Sequence, residues 1–123
     1  MSKRKILVVD DDEGVLDYLQ AKLGESYDLV STNVPDNVVE LAHAEHPDLI
    51  VCDVDMPGMD GGDVSAALYG NDATREIPLL FLTGLLSPQQ VADSKGQIGG
   101  RAAISKTAPA AELIARIESL IKR

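Results

Sequence analysis

Short apolar runs that stop abruptly alternate along this chain with segments of helical period. Lys5-Ile6-Leu7-Val8-Val9 runs into Asp10, Asp11, Asp12 and Glu13. Leu49-Ile50-Val51-Cys52 runs into Asp53. Ile77-Pro78-Leu79-Leu80-Phe81-Leu82 ends at Thr83-Gly84, and Ala102-Ala103-Ile104 ends at Ser105-Lys106. Apolar runs this short, bounded by turn residues, suit strands buried on both faces. Tyr27–Ser31 is more polar, which predicts a strand at a sheet edge.

The segments between them have the helical period. Val15, Leu16, Leu19 and Leu23 fall near one face, and Gly24 marks a stop. Pro35 opens a helix with Val38, Val39, Leu41 and Ala42 inward, and Pro47 ends it. Met56-Pro57-Gly58 breaks the backbone into a loop, and Asp60 with two glycines leads into a helix around Val64–Tyr69. Ser87-Pro88 resembles an N-cap and first helical residue. The helix it opens has few apolar residues and soon meets Gly96, Gly99 and Gly100, so it is expected to be the most mobile element. Pro109 begins an amphipathic helix. Leu113, Ile114, Ile117, Leu120 and Ile121 face inward, and Glu112, Arg116, Glu118 and Lys122 face water.

Five strands alternating with five helices predict a doubly wound α/β fold, a parallel sheet with helices on both faces and right-handed crossovers. At 123 residues the chain is expected to form one domain, 1–123, without an output domain. Aromatics are 3% with no Trp, so the core must be aliphatic. A net charge of −9 argues against direct nucleic-acid binding and against anionic membranes. It suits a cation or a basic patch on a partner protein. The single cysteine, Cys52, cannot form an internal disulfide and reads as a buried apolar side chain. No apolar run is long enough for a signal peptide or membrane span, so the expected location is the cytoplasm. His43 and His46 could meet on a helix, but without a third ligand they read as solvated residues.

The strand ends carry the candidate chemistry. In a parallel sheet they share one edge, and ligands bind outside that edge. Asp10, Asp11 and Asp53 would converge there with Thr83 and Lys106. Three close carboxylates repel one another, and a hard cation such as Mg²⁺ relieves this with carboxylate, water and phosphate oxygens. A lysine ammonium supplies a point charge for a phosphate oxygen. Such a set suits a phosphoryl group held on a carboxylate.

The sequence resembles the receiver domain of two-component response regulators. The resemblance spans essentially the whole chain. It rests on VVDDDE after the first strand, CDVDMPGMDG after the third, Thr83-Gly84 and Lys106. It implies a flavodoxin-like sheet of order 2-1-3-4-5, for which the chemotaxis response regulator is itself a standard example. It implies Asp53 as phosphoacceptor from a histidine kinase or phosphotransfer protein. Asp10 and Asp11 would be the Mg²⁺ pair, with Asp53 and the backbone carbonyl of Asp55 as further ligands. Thr83, with Gly84 beside it, and Lys106 would bind the phosphoryl group. Output would pass to a protein target or to a domain outside this sequence. Asp12 and Glu13 read as charges starting a helix.

Two positions depart from the family. Thr107 stands where the family has proline after the lysine, often with a cis bond. A cis bond without proline costs about 3–4 kcal/mol. The loop is therefore either trans and reshaped or strained. Ala103 stands where the family has its switch aromatic, so no ring can rotate there to couple to Thr83. Two other readings compete with the phosphorylation switch. Asp53-Val54-Asp55 fits the DxD start of a small phosphoaspartate phosphatase, but such enzymes place their acidic pair last. A pseudo-receiver, kept only for binding, would fit the two departures.

Overall fold

The computed structural model describes residues 3–54, 61–98 and 101–121. Its strands are β1 (Arg4–Val9), β2 (Tyr27–Thr32), β3 (Leu49–Asp53), β4 (Leu79–Thr83), β5 (Gln97–Ile98) and β6 (Arg101–Ser105). Its helices are α1 (Glu13–Leu23), α2 (Val38–Glu45), α3 (Gly61–Tyr69), α4 (Pro88–Asp93) and α5 (Ala110–Ile121). The sheet order is β2-β1-β3-β4-β6-β5. All pairs are parallel except β5 with β6. Without β5, this is the expected order of five parallel strands.

Alternation along the strands builds two cores. Ile6, Val8, Leu49, Val51, Leu80, Leu82 and Ile104 pack on one side with Leu19, Leu23, Leu113, Ile117 and Ile121 of α1 and α5. Leu7, Val9, Ile50, Cys52, Phe81 and Ala103 pack on the other with Val38, Ala42, Val64, Leu68 and Val91 of α2, α3 and α4. Both faces of the sheet are covered, which is why its strands are continuous apolar runs rather than alternating ones.

Several details differ from the sequence expectations. β5 is an added two-residue antiparallel strand. Left-handed backbone at Lys95 (φ 62°) and Gly96 (φ 71°) turns the chain back toward β6. Pro35 opens a 3-10 turn, Pro35–Asn37, and the α-helix starts only at Val38. β4 starts after Pro78, whose carbonyl accepts from Ile50 N–H at 2.9 Å. The proline thus joins the sheet as an acceptor only. α4 has six residues behind a capping box, with Ser87 Oγ accepting from Gln90 N–H at 3.2 Å and Gln90 Oε1 accepting from Ser87 N–H at 2.9 Å.

Arg116 does not simply face water. It is half-buried, and its guanidinium donates to the carbonyls of Ala103 (3.1 Å) and Gly96 (2.8 Å). A long aliphatic stem lets an arginine on a polar stripe reach back over the core. Glu118 is exposed but accepts a hydrogen bond from the buried Tyr27 hydroxyl. No helix among the described residues is long and apolar enough to cross a membrane.

Candidate functional site

The site begins where β1 and β3 run out. The last residues of both strands are buried, so the chain reaches the sheet edge still inside the core. Asp10 is fully buried and Asp53 is 3% exposed. Asp10 Oδ1 accepts from Asp12 N–H at 2.9 Å, a local turn that bends the chain off β1. Asp12 then caps α1, its Oδ1 accepting from Gly14 N–H at 2.8 Å. Of the acidic run, Asp10 points into the protein, Asp11 is exposed, and Asp12 starts the helix.

Asp10, Asp11 and Asp53 each bring one carboxylate oxygen to within 4.8 Å of the others. The Lys106 ammonium lies 3.1 Å from Asp10 Oδ2 and 3.4 Å from Asp53 Oδ1. At an effective dielectric of about 20, like charges this close repel by roughly 4 kcal/mol per pair. One ammonium among three carboxylates leaves an excess of negative charge. Burial is the largest single influence on Lys106 and lowers its pKa. Contact with Asp10, and then with Asp53, outweighs it, so the ammonium is held above its ordinary value of 10.5.

Asp10 Oδ2 is the one buried side-chain oxygen or nitrogen among the described residues without an aligned hydrogen-bond donor. Its close contact is the ion pair with Lys106 at 3.1 Å. A buried, under-satisfied carboxylate oxygen beside two more carboxylates fits a hard cation that takes oxygen ligands.

Asp11, Asp12, Glu13, Asp53, Gly84, Leu85 and Lys106 line one open cleft of about 510 Å³. Gly84 lies close to the lysine stem: a Cβ there would stand 3.5 Å from Lys106 Cδ, an ordinary contact. Thr83 is buried at the end of β4, and its Oγ1 accepts from Leu85 N–H at 3.1 Å. Ala103 lies lower in β6, fully buried and paired in register with Phe81. Cys52, just before Asp53, donates its thiol to the Asp53 carbonyl at 3.2 Å. Burial, and then the charges of Asp53 and Asp10, push that thiol up to about 12.

Asp55, Met56-Pro57-Gly58 and Asp60 lie outside the described residues. The peptide bond between Lys106 and Thr107 is trans, which settles the alternative left open by the missing proline. The sequence marks Ser105 only as a strand end and Thr107 only as a missing proline, but their hydroxyls bond to each other and to the turn. Two hydroxyl residues spaced two apart at a strand end were the available signal.

The pattern of the response regulator receiver domain family matches residues 6–118. Response regulator PleD of Caulobacter vibrioides is 43% identical over 82 residues, covering 66% of this chain and 18% of that protein. This chain spans half or less of the length of such curated relatives. The BeF3-activated N-terminal receiver domain of Klebsiella pneumoniae RstA is similar over 98% of this chain and 100% of that one, with 32% identity and a TM-score of 0.80. Chemotaxis protein CheY4 of Vibrio cholerae shares the fold at a TM-score of 0.81 and 22% identity over 97% of this chain and 99% of that one. With an acidic pocket at the carboxyl edge of a doubly wound sheet and a family match across nearly its whole length, this chain belongs to the response regulator receiver domains of two-component signalling.

Proposed function

We propose that the chain is a phosphorylation switch whose phosphoacceptor is Asp53. A carboxylate oxygen of Asp53 attacks the phosphorus of a phosphohistidine on a histidine kinase or phosphotransfer protein. A P–O bond forms as the P–N bond breaks, and the imidazole leaves with the electron pair. Asp10 and Asp11, with Asp53 itself and the Asp55 carbonyl, would hold Mg²⁺, which neutralises charge on the transferring group. Lys106 pairs with a phosphoryl oxygen. Thr83 turns its hydroxyl from Leu85 N–H toward the same group, and Gly84 leaves room beside it. The phosphoryl group adds up to about two negative charges and new acceptor oxygens. It thereby biases the loops after β3 and β4. Output passes to a protein partner or to an output domain.

The observation that carries this reading is the buried Asp10 and Asp53 facing one lysine, with Asp11 beside them. Incubation with a small phosphodonor and Mg²⁺ should label the protein stoichiometrically, and Asp53→Asn should reduce labelling at least a hundredfold. Undiminished labelling of Asp53→Asn would move the acceptor to another residue. Continuous turnover of phosphomonoesters would favour the phosphatase reading.

A further inference from the structure

The turn that carries Lys106 is held by hydroxyl groups. Lys106 N–H donates to the Thr83 carbonyl at 2.8 Å, extending the β4–β6 ladder past the strand end. Ala108 N–H donates to the Ser105 carbonyl at 3.1 Å, closing the turn. Inside it, Ser105 Oγ accepts from Thr107 N–H at 3.1 Å and lies 2.9 Å from Thr107 Oγ1. Ser105 is 3% exposed and Thr107 is exposed, so the bonds are sheltered from the Ser105 side only. One buried oxygen thus fixes the backbone on the far side of Lys106.

We propose that Ser105 and Thr107 form a hydroxyl clamp, in which Ser105 is a positioning residue for Lys106. This rests on the reading of Asp53 as phosphoacceptor. A lysine stem is flexible, so its ammonium reaches Asp10 and Asp53 in one arrangement only if its Cα is held. Both hydroxyls bond within the turn that carries Lys106, so the clamp acts through Lys106. A ring at position 107 would restrict the backbone covalently. Here the restriction comes from two side-chain hydrogen bonds on a trans peptide.

The test compares the wild type with Ser105→Ala, Thr107→Val and Thr107→Ser, using acetyl phosphate as donor over a range of Mg²⁺. Loss of one net hydrogen bond corresponds to on the order of a fivefold change. Ser105→Ala removes both bonds and should lower the maximal phosphorylation rate on the order of 25-fold, with half-saturating Mg²⁺ unchanged within about twofold. Thr107→Val should fall in between, and Thr107→Ser should restore the wild-type rate. A wild-type rate in Ser105→Ala overturns the clamp, as does a parallel loss of rate and Mg²⁺ response. If Ser105→Ala does not fold, the Thr107 pair decides. A second readout needs no reaction: the two Cε protons of Lys106 should be resolved by NMR in wild type and should merge in Ser105→Ala. Unchanged splitting overturns the clamp even in an unlabelled protein. A wild type that takes no phosphoryl group, with Lys106 still held in this way, overturns the phosphoacceptor reading alone.

Discussion

Two stretches of the sheet's carboxyl edge solve different problems. At β1 and β3, Asp10 and Asp53 are buried close to each other and leave excess negative charge beside Asp11. At β6, Ala103 is small, Ser105 and Thr107 bond to each other, and Arg116 ties down two carbonyls. The first region is under electrostatic stress that a ligand can relieve. The second carries no carboxylate cluster and is held by hydrogen bonds. Charge sets what the first region can bind, and packing and hydrogen bonds set the shape of the second.

Cation binding should separate the regions most. Mg²⁺ at about 100 times its dissociation constant should stabilise the fold by about 2.7 kcal/mol through linkage. Asp11→Asn should abolish most of that gain and raise the melting temperature in chelator, because it removes one repelling charge. An unchanged melting curve with Mg²⁺ would show that the acidic cluster holds no metal.

The next effect belongs to β6. Ala103 is fully buried in the cluster that contains Phe81, Val91 and Ile98. Ala103→Tyr should cost about 1–3 kcal/mol by overpacking, seen in denaturant unfolding. An undiminished midpoint would mean that space for a ring is still present there. Arg116→Ala should cost about 1 kcal/mol, because it leaves the Gly96 and Ala103 carbonyls without their guanidinium donor. Its hydrogen-exchange signature should be confined to β5 and the start of β6.

An effect confined to alkali should appear at Tyr27. Burial, then the bond and charge of Glu118, raise the Tyr27 hydroxyl from 10 to about 12. The folded protein therefore keeps a proton that the unfolded chain loses. This stability is complete below pH 10 and is lost as pH rises toward 12. Tyr27→Phe should flatten that part of the pH–stability curve.

The carboxylate cluster was more legible in the sequence than the β6 end, for a physical reason. An apolar run that stops at Asp10 or Asp53 marks both the strand and its end, because few other arrangements bury such a run. The same logic located Thr83 and Lys106. It missed β5, because Gln97-Ile98 becomes a strand only through the left-handed backbone at Lys95 and Gly96. It misjudged Arg116, because periodicity assigns a charge to the solvent side without asking how far its stem can bend. The clamp at Ser105 and Thr107 lies in a turn, where side-chain bonds rather than period decide the conformation.

The two-residue β5 also bears on how this protein behaves in a crowd. A five-stranded sheet ending in β6 would offer a stranger's chain a row of open backbone donors and acceptors. The short antiparallel stub covers part of that row with Gln97 and Ile98 and turns away at Gly96. Short edge strands of this kind discourage strand-by-strand association. Recruitment by sheet extension is accordingly left to β2, where the exposed Asp28 carboxylate would repel an acidic newcomer.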